Sequence, residues 1–361
     1  MKYYLIAGEA SGDMHAANLM KELRFSDTEA QFQGFGGDKM QAQGLQRVKH
    51  YKEMDFMGFL EVISNLNSIL KNLALAKSDI HSFQPDVLIL IDYPGFNMRI
   101  AKFAKKLRIK VVYYITPQVW AWKQGRVKQL KRDTDLLLSI LPFEKEFFAK
   151  HGADSTFVGH PLLDELTNSS RNSVETEKPL IALLPGSRKQ EIKKILPLMM
   201  ELADHFTDYQ FIIAGAPSIP SSFYRSITGD SYLPISTDKT YEVLKGAKAA
   251  VITSGTATLE AAILKVPQVV CYRTSGFSYW IGKRVIKVAF ISLVNLILNK
   301  QVVAELVQSD FNKERLVQEV DKLLNKKHRN ILLQEYKKLI EKLGKKGASQ
   351  RAAQAVLNLL R

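Results

Sequence analysis

Residues 86–92 read Asp-Val-Leu-Ile-Leu-Ile-Asp, an apolar run with no alternation. Such a run is a strand buried on both faces, the pattern of a parallel sheet. Parallel strands need crossover connections, so the chain must alternate strands with helices. It does so along its whole length. Strands are expected at 3–7, 31–36, 110–115, 135–140 and 155–158, then at 180–184, 210–214, 249–253 and 268–272. Helical stretches lie between them: one through Leu23, one over 56–73 with apolar residues at i, i+3, i+4 and i+7, one opened by Pro142, and one starting near Leu259. The strand at 86–92 ends in Asp92, where open α/β sheets bind ligands. Pro94 and Gly95 force a turn, and Asn97 is expected to cap the next helix. Taken alone, Asp92 reads first as a carboxylate that bonds loop amides, because structural carboxylates are common.

A chain of 361 residues suggests about two domains. Residues 167–178 hold a single apolar side chain, Val174, and read as a linker. The fold expected is α/β, two doubly wound Rossmann-like domains facing a cleft, with domains at 1–166 and 179–346. One cysteine, Cys271, excludes an intramolecular disulfide and a thiolate zinc cluster. The opening residues 1–7 are too short for a signal h-region, and no stretch reaches the roughly 18 uncharged apolar residues of a membrane span. The expectation is a cytoplasmic protein. A net charge of +15 suits an anionic partner: nucleic acid, an acidic membrane surface or a phosphorylated substrate. No nucleic-acid module or stacking platform is present, so a nucleic-acid partner is not expected.

The turns carry the chemistry. Gly8-Glu9-Ala10-Ser11-Gly12-Asp13 follows the first strand but is not a dinucleotide fingerprint; Ser11 or Asp13 is expected to cap the helix after it. In the second half, Ser254-Gly255-Thr256 joins a strand to a helix, where small residues let amides approach a phosphate. Glu260, in the first turn of that helix, can accept from ribose hydroxyls or stabilise the helix N-terminus. Pro185-Gly186-Ser187-Arg188 has the same placement, and Arg188 can neutralise a diphosphate leaving group. Together the two loops suit a nucleotide-sugar. No metal motif accompanies them, so no metal and no cofactor are expected. Trp120 and Trp122 follow the strand at 110–115, as core plugs or as sugar or lipid contacts. Phe56, Met57 and Phe59 give their helix extra apolar surface, which suits a core helix or an acyl groove. Residues 277–287 mix Phe277 and Trp280 with Lys283 and Arg284, which suits an interfacial segment or a buried helix with snorkelling lysines.

Eight motifs, in order, resemble the lipid-A-disaccharide synthase family: GEASGD at 8–13, MGFLEV at 57–62, IDYPGFN at 91–97, PQVWAW at 117–122, LPFE at 141–144, FVGHP at 157–161, LPGSR at 184–188 and SGTATLE at 254–260. The resemblance implies an inverting glycosyltransferase of the GT-B type. Its substrates would be UDP-2,3-diacylglucosamine and 2,3-diacylglucosamine 1-phosphate (lipid X), and its product the β-1,6 disaccharide 1-phosphate of lipid A. It implies peripheral attachment to the anionic cytoplasmic face of the inner membrane, with the last helix, about 347–361, packing back on the first domain. A homodimer fits the resemblance as well as a monomer. Asp92 would be the general base and Arg188 a second catalytic residue. UDP would be bound by Gly186, Ser187, Arg188, Gly215, Ser254, Gly255, Thr256, Glu260, Arg273, Asn295, Glu305 and Gln308. Glu9, Ser11, Gly12 and Asn97 would form the acceptor loops, and the aromatic and basic residues at 56–59, 120–122 and 277–284 would meet acyl chains or membrane. The chain has Val294 and Ala304 where the family usually has proline. The alternative is another GT-B enzyme on a UDP-N-acetylglucosamine-type substrate, a UDP-GlcNAc 2-epimerase or a peptidoglycan transferase.

Overall fold

The computed structural model describes residues 1–54, 66–168, 172–229, 233–275 and 288–361. Phe56, Met57, Phe59, Phe277, Trp280, Lys283 and Arg284, singled out above, lie outside the described residues. The chain divides into two compact units, Met1–Asp164 with Leu343–Arg361, and Glu165–Lys342.

In the first unit the described residues form a seven-stranded sheet. Its strands are β1 (Lys2–Ala7), β2 (Gln31–Gly36), β3 (Leu45–His50), β4 (Val87–Ile91), β5 (Lys110–Tyr114), β6 (Leu136–Ser139) and β7 (Thr156–Phe157). They run in the order β3-β2-β1-β4-β5-β6-β7, all parallel. The order reverses between β1 and β4, so the loops after these two strands flank the topological switch point. Every residue of β4 is buried. Because side chains alternate, Tyr4, Ile6, Leu88, Leu90, Val111 and Tyr113 share one face and pack against Ala76, Ile80, Ile100 and Ala104 of the helices Leu66–Phe83 and Pro94–Lys106. The other face is covered by the helix Ala10–Ser26 and by the C-terminal helix Ala348–Leu360. That last helix is capped from a distance. The Asp164 carboxylate accepts from Gly347 N (2.6 Å) and Ser349 N (3.3 Å), and Arg351 Nε donates to Val158 O (2.8 Å).

The second unit carries β8 (Leu180–Leu184), β9 (Gln210–Ala214), β10 (Ile235–Ser236), β11 (Ala247–Thr253), β12 (Gln268–Tyr272) and β13 (Glu305–Val307), in the order β10-β9-β8-β11-β12-β13. This sheet is parallel too. Its core gathers Leu180, Ala182, Ile212, Val243, Leu244, Ala250, Ile252 and Ala261.

Several local expectations change. Residues 172–178, read as a linker, belong to the second unit, where Val174 N donates to Glu242 O and Val174 packs against the core. The helix expected near Leu259 starts at Thr256, and the one expected to open at Pro142 starts at Glu144. Neither Ser11 nor Asp13 caps the helix Ala10–Ser26. Its N-cap position is Glu9, with no side-chain cap, and Ser11 Oγ donates to Glu9 Oε1 (3.1 Å). Asp13 is buried and reaches across to the turn after β2, accepting from Gly37 N (2.7 Å), Lys39 N and Met40 N (both 3.1 Å). Asp13→Ala leaves these amides without their acceptor. A buried unsatisfied donor costs about 1–3 kcal/mol, so the variant is expected to unfold several degrees lower in a calorimetric scan while its circular dichroism spectrum stays native.

Candidate active site

At the end of β4 the chain makes an uncommon turn. Asp92 (φ 42°) and Tyr93 (φ 47°, ψ 55°) are both left-handed, although neither is glycine. Donors from two elements hold that turn: the Asp92 carbonyl accepts from the Tyr113 hydroxyl (2.6 Å) and from Asn97 Nδ2 (2.8 Å). Pro94 then occupies the first turn of the helix Pro94–Lys106 with its φ already set. The Tyr93 ring folds over Gly8, where a Cβ would lie 2.3 Å from Cγ of the ring, and its hydroxyl donates to Met54 O (2.9 Å). Only glycine fits there.

This turn leaves the Asp92 side chain half-buried beside Glu9, which follows the neighbouring strand β1. Burial pushes the Asp92 carboxyl up to about 7, and the charge of Glu9 adds to it. A carboxyl poised near neutrality is suited to taking a proton. Two residues expected to face the acceptor do not. Asn97 is fully buried and positions the Asp92 carbonyl, so it neither caps its helix nor reaches a ligand. Gly12 is buried, with room for a Cβ only in contact with Ala7 and Ile91, so it serves helix-on-strand packing.

The sequence reading passed over Glu144. It is buried in the first turn of the helix Glu144–Lys150 and accepts from Thr116 Oγ1, Trp120 Nε1, Ile140 N and Leu141 N. Burial pushes it to about 7 against the pull of these four donors. Trp120 is thereby a core plug. Trp122 is 43% exposed, with Lys123 Nζ 4.2 Å from its ring centroid and the Arg126 guanidinium at 5.6 Å.

In the second unit the loops after β8, β11, β12 and β13 lie at the carboxyl edge of the sheet. Gly186 has φ +112°, a conformation closed to other residues, and a Cβ there would meet Glu191. Arg188 is the N-cap of the helix Lys189–Met200; it is exposed, and its guanidinium pairs with Glu191 at 2.9 Å. An exposed pair of this kind is weak and exchangeable. Gly255 and Thr256 are exposed at the start of the helix Thr256–Ile263, whose first amides have no partner within the helix. Glu260 is half-buried. Burial, then the charge of Glu165, raises it to about 7, and the Tyr241 hydroxyl bonds it while also donating to Glu165 Oε1 (2.7 Å). Arg273, Thr274, Gln308, Ser309 and Lys194 line a cavity of about 440 Å³. Gln308 is itself left-handed (φ 55°), and its Oε1 accepts from Thr274 N (3.0 Å).

Three assignments shift. Gly215 is buried under the Tyr224 ring and packs rather than binds. Asn295 is fully buried and has spent its amide: Oδ1 accepts from Val302 N and Val303 N, and Nδ2 donates to Val303 O and Glu305 Oε1. Glu305 accepts from Ile291 N, Ser292 N and that same amide. Neither faces outward as a ligand group would. Lys194, Tyr241 and Glu165 escaped the sequence reading because no local spacing links them; Tyr241 and Glu165 meet from positions far apart in the chain. Among the described residues, no group of three or more His, Cys, Asp and Glu side chains is placed to hold a metal ion.

The family model for lipid-A-disaccharide synthetase matches residues 3–359. A lipid-A-disaccharide synthase of Myxococcus xanthus is 39% identical over 373 aligned positions, covering 99% of this chain and 97% of that protein. Two solved structures share the fold at low identity. One is a UDP-GlcNAc 2-epimerase from Neisseria meningitidis bound to UDP-GlcNAc, with TM-score 0.69, 13% identity, and 99% and 100% of the two chains covered. The other is the glycotransferase of kitacinnamycin, with TM-score 0.69, 12% identity, and 100% and 99% covered. Both likenesses place the two parallel-sheet α/β units in the GT-B class. With the family model spanning nearly every residue and a relative this similar over its full length, the chain belongs to the lipid-A-disaccharide synthetase family of glycosyltransferases.

Proposed function

We propose that the protein joins UDP-2,3-diacylglucosamine to 2,3-diacylglucosamine 1-phosphate, releasing UDP and the β-1,6-linked disaccharide 1-phosphate. The observation that carries the chemistry is the Asp92 carboxyl, raised to about 7 at a strained strand end. The first unit takes the acceptor. Its 6-hydroxyl attacks C1 of the donor sugar from the side opposite the diphosphate. The O6–C1 bond forms as the bond from C1 to the phosphate oxygen breaks, and the hydroxyl proton passes to Asp92. Displacement in one step inverts C1.

The second unit takes the donor. Arg188 exchanges Glu191 for the diphosphate, and the exposed amides of Gly255 and Thr256, with the helix dipole behind them, meet the charge that grows on the leaving UDP. These groups supply the charge stabilisation of a transfer that uses no metal and no cofactor. Glu260 accepts from the ribose hydroxyls, and the cavity at Arg273 and Gln308 takes another part of the UDP moiety.

The protein meets an anionic membrane surface from the cytoplasm. No helix among the described residues is long and apolar enough to cross a membrane. In the first unit Trp122 is exposed with Lys123 and Arg126 at its ring, and Arg99, Lys102 and Lys106 are exposed on the helix Pro94–Lys106. The neighbouring helix Leu66–Phe83 exposes Leu70 and Leu75. An amphipathic tryptophan among cations suits the headgroup layer.

Incubation with both lipid substrates in detergent is expected to yield the disaccharide by mass spectrometry; an epimerised UDP-sugar without disaccharide would overturn the reading. A base must be unprotonated, so kcat/KM should fall as pH drops through about 7. Glu9→Gln removes a negative neighbour and should move that acid limb to lower pH. Asp92→Asn should lower kcat on the order of 10²–10⁴-fold with UDP affinity kept; lost UDP binding would mark Asp92 as structural. Arg188→Ala should raise the donor KM and slow transfer roughly 10²-fold. Sedimentation with vesicles containing acidic phospholipid should weaken with added salt and in Trp122→Ala; salt-insensitive binding would refute the electrostatic part.

A further inference from the structure

We propose that Asn295 and Glu305 are positioning residues for the donor-diphosphate loop, acting through the Ile291 carbonyl and the Ser254 hydroxyl. This rests on the reading of that loop given above.

The relay is continuous in the structure. Asn295 Oδ1 accepts from Val302 N (2.7 Å) and Val303 N (3.0 Å), and its Nδ2 donates to Val303 O (2.9 Å) and Glu305 Oε1 (2.8 Å). Glu305, the first residue of β13, is thus oriented from one side. From the other it accepts from Ser292 N on Oε1 and Ile291 N on Oε2, both at 2.9 Å. A carboxylate gripping two successive amides fixes the peptide between them, and with it the direction of the Ile291 carbonyl. That carbonyl accepts the Ser254 hydroxyl at 2.8 Å.

The consequence for Ser254 is specific. Its backbone N–H is committed to Cys271 O (2.9 Å), and its single hydroxyl proton is committed to Ile291. It therefore has no donor left for a phosphate. Its work is to hold the end of β11, so that Gly255 and Thr256 present their amides outward. A merely structural cluster would not need its last bond to end on a residue of the exposed loop. Every polar atom of Asn295 is used inside the unit, so its effect on the donor passes through this chain of bonds.

The test measures UDP affinity by calorimetry and donor and acceptor KM separately. Ser254→Ala removes only the final bond and should raise the UDP Kd and the donor KM about fivefold to tenfold, with acceptor KM and melting temperature nearly unchanged. Ser254→Thr keeps the hydroxyl and should restore both. Glu305→Gln should raise the donor KM similarly, and the double variant Ser254→Ala with Glu305→Gln should be no worse than the poorer single one, because both act through Ile291. Should Glu305→Gln fail to fold, Ser254→Ala and Ser254→Thr still decide the matter. Unchanged UDP affinity in Ser254→Ala, failure of Ser254→Thr to restore it, or independent losses in the double variant would overturn the proposal. Gly255→Asp separates this from the loop reading itself. A Cβ at Gly255 meets nothing nearer than Thr253 O at 4.0 Å, so the variant adds charge without a clash. If Gly255→Asp abolishes UDP binding while Ser254→Ala leaves it intact, only the positioning role fails. If Gly255→Asp binds UDP normally, the loop reading fails.

Discussion

The grip on the Asp92 carbonyl is the constraint on which the chemistry proposed for the first unit depends. Two successive non-glycine residues in the left-handed region cost on the order of 1–3 kcal/mol each. The Tyr113 hydroxyl and the Asn97 amide, brought from β5 and from the helix after Asp92, offset that cost by clamping one oxygen. Left-handed residues occur at two kinds of place. Asp92, Ile115 and Gln308 directly follow β4, β5 and β13, at the strand ends where open α/β sheets bind ligands, while Gln84, Arg108, Lys265 and Asn299 follow helices. Two such residues in succession, Asp92 and Tyr93, set the turn after β4 apart from the others.

Burial then does different work at each carboxylate. Asp13 and Asp164 each grip two or three amides at the start of one helix and act as caps for elements distant in sequence. Glu144 accepts four donors and ties the Trp120 indole to the turn after β6. Asp92 has Glu9 beside it, and its carboxyl is held near neutrality. The same side-chain chemistry thus serves as a structural clamp when surrounded by N–H groups, and is suited to accepting a proton where burial, and after it a like charge, hold the carboxyl near neutrality beside an exposed loop.

The central strands were legible because a strand buried on both faces leaves an unbroken apolar run; β2, β8, β9 and β12 match their expected bounds. The strands missed were β3, β10 and β13, all at sheet edges. β3 reads Leu-Gln-Arg-Val-Lys-His, and one exposed edge removes the need for apolar side chains. Loop motifs led to the neighbourhood of Asp92, Arg188 and Glu260, because glycine, proline and small residues mark tight turns. They did not distinguish ligand-facing groups from inward-facing ones. Asn97 and Asn295 sit in loop motifs, yet the Asn97 Nδ2 goes to backbone carbonyls at the end of β4 and the whole Asn295 amide to groups seven to ten residues away. That partition depends on where loops fold, and residue spacing does not encode it.

A carboxylate near a diphosphate is repulsive unless its charge is otherwise engaged, and the second unit engages both of its candidates in different ways. Glu305 is engaged by three donors, two of them backbone amides. Glu260 lies beside Glu165 with the Tyr241 hydroxyl bonded to both, and its carboxyl is raised to about 7. Near neutral pH a fraction of Glu260 is protonated, which lowers the negative charge it presents. A carboxyl in that state can accept from one hydroxyl and donate to another, whereas Glu305 already accepts from three donors of its own unit. The two residues are therefore not interchangeable elements of one polar lining: Glu305 holds backbone, and Glu260 suits the ribose role proposed for it.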